Sequence, residues 1–149
     1  MYIIALSLII LIDQVSKYLI RHNLALGESL PIIKNIFHLS LVHNTGAAFG
    51  MFRNQTVFFI LAACITIIAI IINLRSRKLP DKNFDLERLS LVLVLSGAVG
   101  NLIDRIIFGY VVDFIDLRIW PVFNAADSSI SIGAVLLVIA ILKETKQKA

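Results

Sequence analysis

The sequence predicts an integral membrane protein of mainly α class: a four-transmembrane-helix bundle with a small extracytoplasmic β/loop platform. Three observations carry this. The 149 residues are 58% hydrophobic and only 16% charged, with a mean hydropathy of +0.89, too apolar a surface for water to cover. The apolar residues gather into runs near 1–20, 56–74, 88–107 and 127–142, and a span needs about 20 of them. The two mixed segments, 21–55 and 108–126, carry turn residues and a strand-like alternation. One membrane domain, 1–149, accounts for the whole chain.

The first run is interrupted by Asp13, Gln14 and Lys17. It has no Lys or Arg before Lys17 and continues into Tyr18-Leu19-Ile20, so a retained helix is expected rather than a cleaved signal peptide. Asp13 and Lys17 stand four apart, share a helix face and neutralise each other where lone charges are expensive. A structural ion pair near the helix end is the better reading of them than direct catalysis.

Gly27, Pro31 and Asn35 punctuate the next segment, and Phe37 to His43 alternates with period two, predicting a short amphipathic strand at the membrane surface. It runs into Asn44-Thr45-Gly46-Ala47-Ala48-Phe49-Gly50. These small residues suit a plain surface turn and a substrate-contacting loop equally.

The run 56–74 is the cleanest span. Cys64 within it reads as a small buried apolar residue, and as the only cysteine it excludes an internal disulfide. A polar linker, 75–87, leads to the third span, where Ser96 and Gly100 form a small-xxx-small pair that admits a neighbouring helix. Asn101, Asp104 and Arg105 then share one face. They are expected to point inward, either as a network fixing the helix end or as support for nearby carboxylates.

Gly109 ends that helix, and Tyr110 to Phe123 reads as an extended, partly immersed segment with Asp113, Asp116, Arg118 and the anchor-like Trp120-Pro121. The fourth span, 127–142, is short; it is expected to recruit the Asn124-to-Asp127 turn and to let Lys143 snorkel, with 143–149 a frayed charged tail.

Orientation follows from the positive residues. Arg75, Arg77, Lys78, Lys82 and Arg88 in and beside the linker, and Lys143, Lys146 and Lys148 in the tail, place both on the cytoplasmic side. Both termini are then cytoplasmic, and 21–55 and 108–126 lie outside. The net charge of +4 is a topology signal and not a nucleic-acid footprint, since no basic stripe with interleaved aromatics accompanies it.

Asp113 and Asp127 stand out as acids between long apolar segments. Two aspartates converging on one water can divide hydrolysis, the ionised one taking the water's proton and the protonated one donating to the scissile carbonyl. Each has a plainer reading. Asn124-x-x-Asp127 at a helix start matches an N-terminal cap, which spacing alone favours, and Asp113 could be the exposed residue of a half-buried strand. Other chemistries lack a framework. His22, His38 and His43 do not have metal-ligand spacing, no histidine falls in the last three spans to serve a serine protease, and no phosphate-cradling glycine motif occurs. Two rivals remain: a small transporter or proton channel with Asp13, Asp104, Asp113 and Asp127 along a polar path, and a structural helix-bundle partner whose acids serve only as caps and ion pairs.

Five blocks in order resemble the lipoprotein signal peptidase (signal peptidase II) family of bacterial membrane aspartyl proteases. They are Asp13-Gln14-x-x-Lys17, Asn44 to Gly50, Gly97-Ala98-Val99-Gly100-Asn101-x-x-Asp104-Arg105, Val112-Asp113-Phe114 and Phe123-Asn124-Ala125-Ala126-Asp127-Ser128. Ala125 stands where valine is common in the family. The resemblance implies that Asp113 and Asp127 are the catalytic aspartates and that Asn44, Gly46, Asn101, Asp104, Arg105 and Asn124 contact substrate or brace the site. Asp13, with Lys17, would then be structural. It also implies removal of the signal peptide from a diacylglyceryl-modified prolipoprotein, cut before the lipidated cysteine, in the bacterial cytoplasmic membrane; a monomer is expected. No metal, organic cofactor or nucleic acid is implied. A lipid anchor would hold the scissile bond at the outer surface, where charge bias puts both aspartates, and would lower the entropic barrier.

Overall fold

In a computed structural model the chain is described over residues 2–46, 55–76 and 85–148. Four helices, α1 (Tyr2–Asn23), α2 (Thr56–Ser76), α3 (Leu86–Phe108) and α4 (Ala125–Lys148), are long and apolar enough to cross a membrane. Three strands, β1 (Ser29–Ile33), β2 (Phe37–Asn44) and β3 (Val111–Asp116), form one antiparallel sheet in the order β1-β2-β3.

Burial is inverted relative to a water-soluble domain. Ile3, Leu11, Val57, Ile65, Ile106 and Val135 are each more than half exposed, whereas Asp13, Lys17, Asn101, Asp104 and Asn124 are buried. This is the arrangement hydrocarbon favours, with apolar side chains outward and polar groups satisfied inside. The protein is a multi-pass membrane protein.

α3 is the central helix: 44% of its spanning window is buried, against 17% or less for the other three. Asp85 caps its start by accepting the Arg88 N–H at 3.2 Å, and Gly109 ends it in the left-handed region at φ 78°. The close approach of α4 falls at Gly97 and Gly133. A Cβ at Gly97 would collide with the Ala126 carbonyl oxygen, and one at Gly133 would lie 2.7 Å from the Ser90 carbonyl oxygen. Gly100 faces α1, where a Cβ would lie 2.6 Å from Asp13 Oδ2. Of the expected Ser96/Gly100 pair, therefore, Gly100 admits a neighbouring helix, while Ser96 is buried and turns its hydroxyl back to Val92 O at 2.6 Å.

Two expectations need correcting. The fourth helix recruits the Asn124-to-Asp127 turn as expected, beginning at Ala125, but it does not stop at the apolar run: its 24 residues continue through the charged tail to Lys148. Lys143, Glu144 and Lys146 are good helix formers, and Asn124 starts the helix earlier than the apolar run does. The mixed segment after α1 also holds a second strand, β1, which pairs with β2 through Ser29↔Ser40 and Leu30↔Leu39. Asn35, at φ 61°, turns one strand into the other. Residues 47–54 and 77–84, including Ala47 to Gly50 and the basic residues Arg77, Lys78 and Lys82, lie outside the described residues.

Candidate active site

The sheet and the start of α4 meet at one end of the bundle, where Asp113 on β3 and Asp127 in the first turn of α4 line a common cleft of about 1130 Å³. Asn44, Gly46, Asn101 and Arg105 line it too, with an apolar flank that includes Val122, Phe123 and Ile130.

Asn124 is placed between the two acids by its position as N-cap of α4. Its side-chain oxygen accepts the Asp127 N–H at 2.9 Å, and its own backbone N–H donates to Asp127 Oδ2 at 3.2 Å. That reciprocal pair is a capping box, so the structural reading of the Asn124/Asp127 spacing holds. The amide nitrogen of Asn124 donates to Asp113 Oδ1 at 2.7 Å and is shared with Asn101 Oδ1 at 3.1 Å and Val112 O at 3.2 Å. The second oxygen of Asp113 accepts from Asn44 Nδ2 at 2.8 Å, and Asp127 Oδ1 accepts from Asn101 Nδ2 at 2.7 Å.

Asp113 is 1% exposed, which excludes its reading as the outward residue of a strand. Burial, and then the neighbouring Asp127, push its carboxyl up to about 7, against the opposing hydrogen bonds from Asn44 and Asn124 and the charge of Lys17. Asp116, three residues along the same strand, behaves differently. Burial there is outweighed by donation from the Arg118 N–H, the Ser40 hydroxyl and the Arg118 guanidinium, so its carboxyl sits below the usual range. Asp113 therefore exchanges its proton around neutral pH and carries it below about 7. With an anion favoured at the helix start beside it, the arrangement can supply an acid and a base to one water.

The remaining sequence-predicted residues surround this pair. Arg105 donates to Gly46 O at 3.3 Å and to Asn101 O at 3.4 Å, with its guanidinium 5.0 Å from the centre of the Phe59 ring. The Asp13–Lys17 pair forms at 2.8 Å, and Asp104 joins it at 3.0 Å. This structural cluster is packed directly behind the cleft, because Asp13 accepts the Ala126 N–H at 2.9 Å and Asp104 accepts the Val112 N–H at 3.0 Å. Gln14 belongs with them, donating to Asp13 Oδ2, Asp104 Oδ1 and Gly100 O at 3.1–3.2 Å. Its signal was a third polar residue beside Asp13 and Lys17 in an apolar helix. His43, which also lines the cleft, stacks on Tyr110 at 3.8 Å; burial and then Arg21 lower its pKa.

Residues 5–143 match the sequence profile described as signal peptidase (SPase) II. The lipoprotein signal peptidase of Moorella thermoacetica is 53% identical over 136 residues, covering 91% of this chain and 89% of its own. That of Halothermothrix orenii is 45% identical over 145 residues, 97% of both chains. A bacterial membrane enzyme solved by the in meso method at 2.3 Å resolution superposes with a TM-score of 0.88 at 35% identity, covering 99% of this chain and 91% of the other. A match over nearly the whole length, in sequence and in fold, places the chain in the signal peptidase II family.

Proposed function

We propose that this protein is a membrane aspartyl endopeptidase that removes the signal peptide from diacylglyceryl-modified prolipoproteins, cutting before the lipidated cysteine. The observation that carries the reading is the pair of carboxylates, Asp113 and Asp127, lining one cleft and tied to one asparagine. The lipoprotein signal peptidases to which the chain is similar supply the substrate class.

Asp127, at the start of α4, takes a proton from the attacking water, whose oxygen bonds to the scissile carbonyl carbon. Asp113 gives its proton to the carbonyl oxygen, which would otherwise carry the full negative charge. Collapse of the tetrahedral intermediate breaks the C–N bond. The proton taken up by Asp127 then passes to the leaving amine, and the hydroxyl proton returns to Asp113. Asn44, Asn101 and Asn124 donate to the carboxylates and hold them in place. Asn44, Gly46 and Arg105 form the side of the cleft that meets the peptide.

The basic linker and tail put both termini in the cytoplasm and the cleft at the outer face of the bacterial cytoplasmic membrane, where a diacylglyceryl group in the outer leaflet delivers the bond to the aspartates. The protein acts as a monomer. The test is cleavage by protein reconstituted in liposomes, offered the same precursor with and without the diacylglyceryl group. Cleavage of the lipidated precursor alone is expected; equal cleavage of both would remove the lipid from the account.

A further inference from the structure

Three buried ionic groups have no part in that chemistry. Lys17 is 2% exposed, Asp13 0% and Asp104 1%. Such clusters contribute little to stability, since well-packed apolar residues in their place are often neutral or better. Their bonds point to another use.

Lys17 Nζ lies 2.8 Å from Asp13 Oδ2 and 3.0 Å from Asp104 Oδ2, and donates to Asn101 Oδ1 at 3.0 Å, which occupies its three N–H groups. Asp13 grips the N–H of Ala126, the residue before Asp127; Asp104 grips the N–H of Val112, the residue before Asp113. One ammonium thus ties together the backbone immediately ahead of both carboxylates. Its third bond fixes the Asn101 amide. An ammonium cannot accept a hydrogen bond, so Oδ1 must face Lys17, and Nδ2 is turned to Asp127 Oδ1 at 2.7 Å.

Building on the reading of Asp113 and Asp127 as a catalytic pair, we infer that Lys17 is a positioning residue. Through Asp13 and Asp104 it sets the spacing of the two aspartates, and through Asn101 it makes Asp127 the base and leaves the proton on Asp113. The charged and titratable groups around the pair are Asp13 and Lys17 from α1, His43 from β2, and Asp104 and Arg105 from α3. Of these only Lys17 bonds to a group that itself donates to Asp127 while also holding both backbone grips.

The test compares kcat and KM against pH for wild type, Lys17→Met and Lys17→Met/Asp13→Asn, reconstituted and given a diacylglyceryl-modified prolipoprotein. The double variant leaves one acid and no ammonium, hence the same net charge as two acids with one ammonium. Both variants should lose about 10²-fold in kcat with KM unchanged, and the acidic limb of the profile should move to higher pH. A double variant that melts like wild type yet keeps its kcat and pH profile, or loses kcat equally at every pH, overturns the role. A double variant that does not melt cooperatively makes Lys17 structural and overturns it as well. Absence of cleavage by the wild type would strike the peptidase reading instead.

Discussion

Asn124 donates its side-chain amide to Asp113 at 2.7 Å, and the oxygen of the same amide accepts the N–H of Asp127 at 2.9 Å. One planar group therefore ties an acid on a strand to an acid in the first turn of a helix. A cap that serves only its helix needs the second bond and not the first.

Replacing this residue should separate the two uses. Asn124→Ala loses the cap, worth about 0.5–2 kcal/mol, and its cleavage rate should fall by more than that loss of folded protein explains. Asn124→Ser keeps a capping oxygen but cannot reach Asp113. It should melt closer to wild type than the alanine variant and share its loss of cleavage. Cleavage by the serine variant at the wild-type rate would leave Asn124 a cap alone.

The proton on Asp113 predicts a pH dependence. Its carboxyl is pushed up to about 7, chiefly by burial and then by Asp127, so the acid is lost as pH rises through that value and kcat should fall on the alkaline side. Stability follows the same sign. A group raised on folding contributes fully below its ordinary value of 3.8 and loses that contribution as pH rises through about 7. Asp113→Asn cannot lose the proton, so its Tm should not share the decline of wild type as pH rises from 3.8 to about 7. Parallel melting curves for the two proteins would contradict the assignment.

Helix packing gives a sharper contrast than the sequence did. Gly97→Ala forces a Cβ against the Ala126 carbonyl oxygen and to within 2.7 Å of Ile130 Cγ1. It should cost roughly 1–3 kcal/mol and lower kcat, because Ala126 precedes Asp127. Ser96→Ala removes one bond within its own helix and should cost about 0.5–1.5 kcal/mol with cleavage intact. Thermal melts that rank the two in the opposite order would refute this packing account.

Arg105 reaches from α3 to the carbonyl of Gly46, just beyond β2, and its guanidinium lies over the Phe59 ring of α2 at 5.0 Å. A lysine offers neither the planar fork nor the stacking face. Arg105→Lys should raise KM several-fold with a smaller change in kcat, since it loosens the wall of the cleft and not the acids. An unchanged KM would show that this wall does not meet substrate.

The four spans were legible because hydrocarbon imposes a length and a composition that few other structures share. β2 was legible from its alternation, whereas β1 was not: Leu30, Pro31, Ile32 and Ile33 do not alternate, and all five of its residues are exposed. The end of α4 was misjudged because hydropathy stops at Leu142 while helix propensity does not. At the site, the acids could be named from their place between apolar segments, Asn101 from its helix face and Asn124 from cap spacing, whereas Asn44 was named only through the family resemblance. Their pairing could not, since Asp13 meets Ala126 across 113 positions of sequence, and no local pattern records so distant a bond. Gly97 was read past in favour of Ser96 because both are small; only the crossing of α3 and α4 shows which one must lack a side chain.

The central claim, that Asp113 and Asp127 together perform the hydrolysis, is tested most directly by single-turnover cleavage of a diacylglyceryl-modified prolipoprotein by reconstituted wild type, Asp113→Asn and Asp127→Asn, each shown to be folded by its melt. Both variants should be inactive while still binding the substrate. Substantial cleavage by either folded variant would contradict the account.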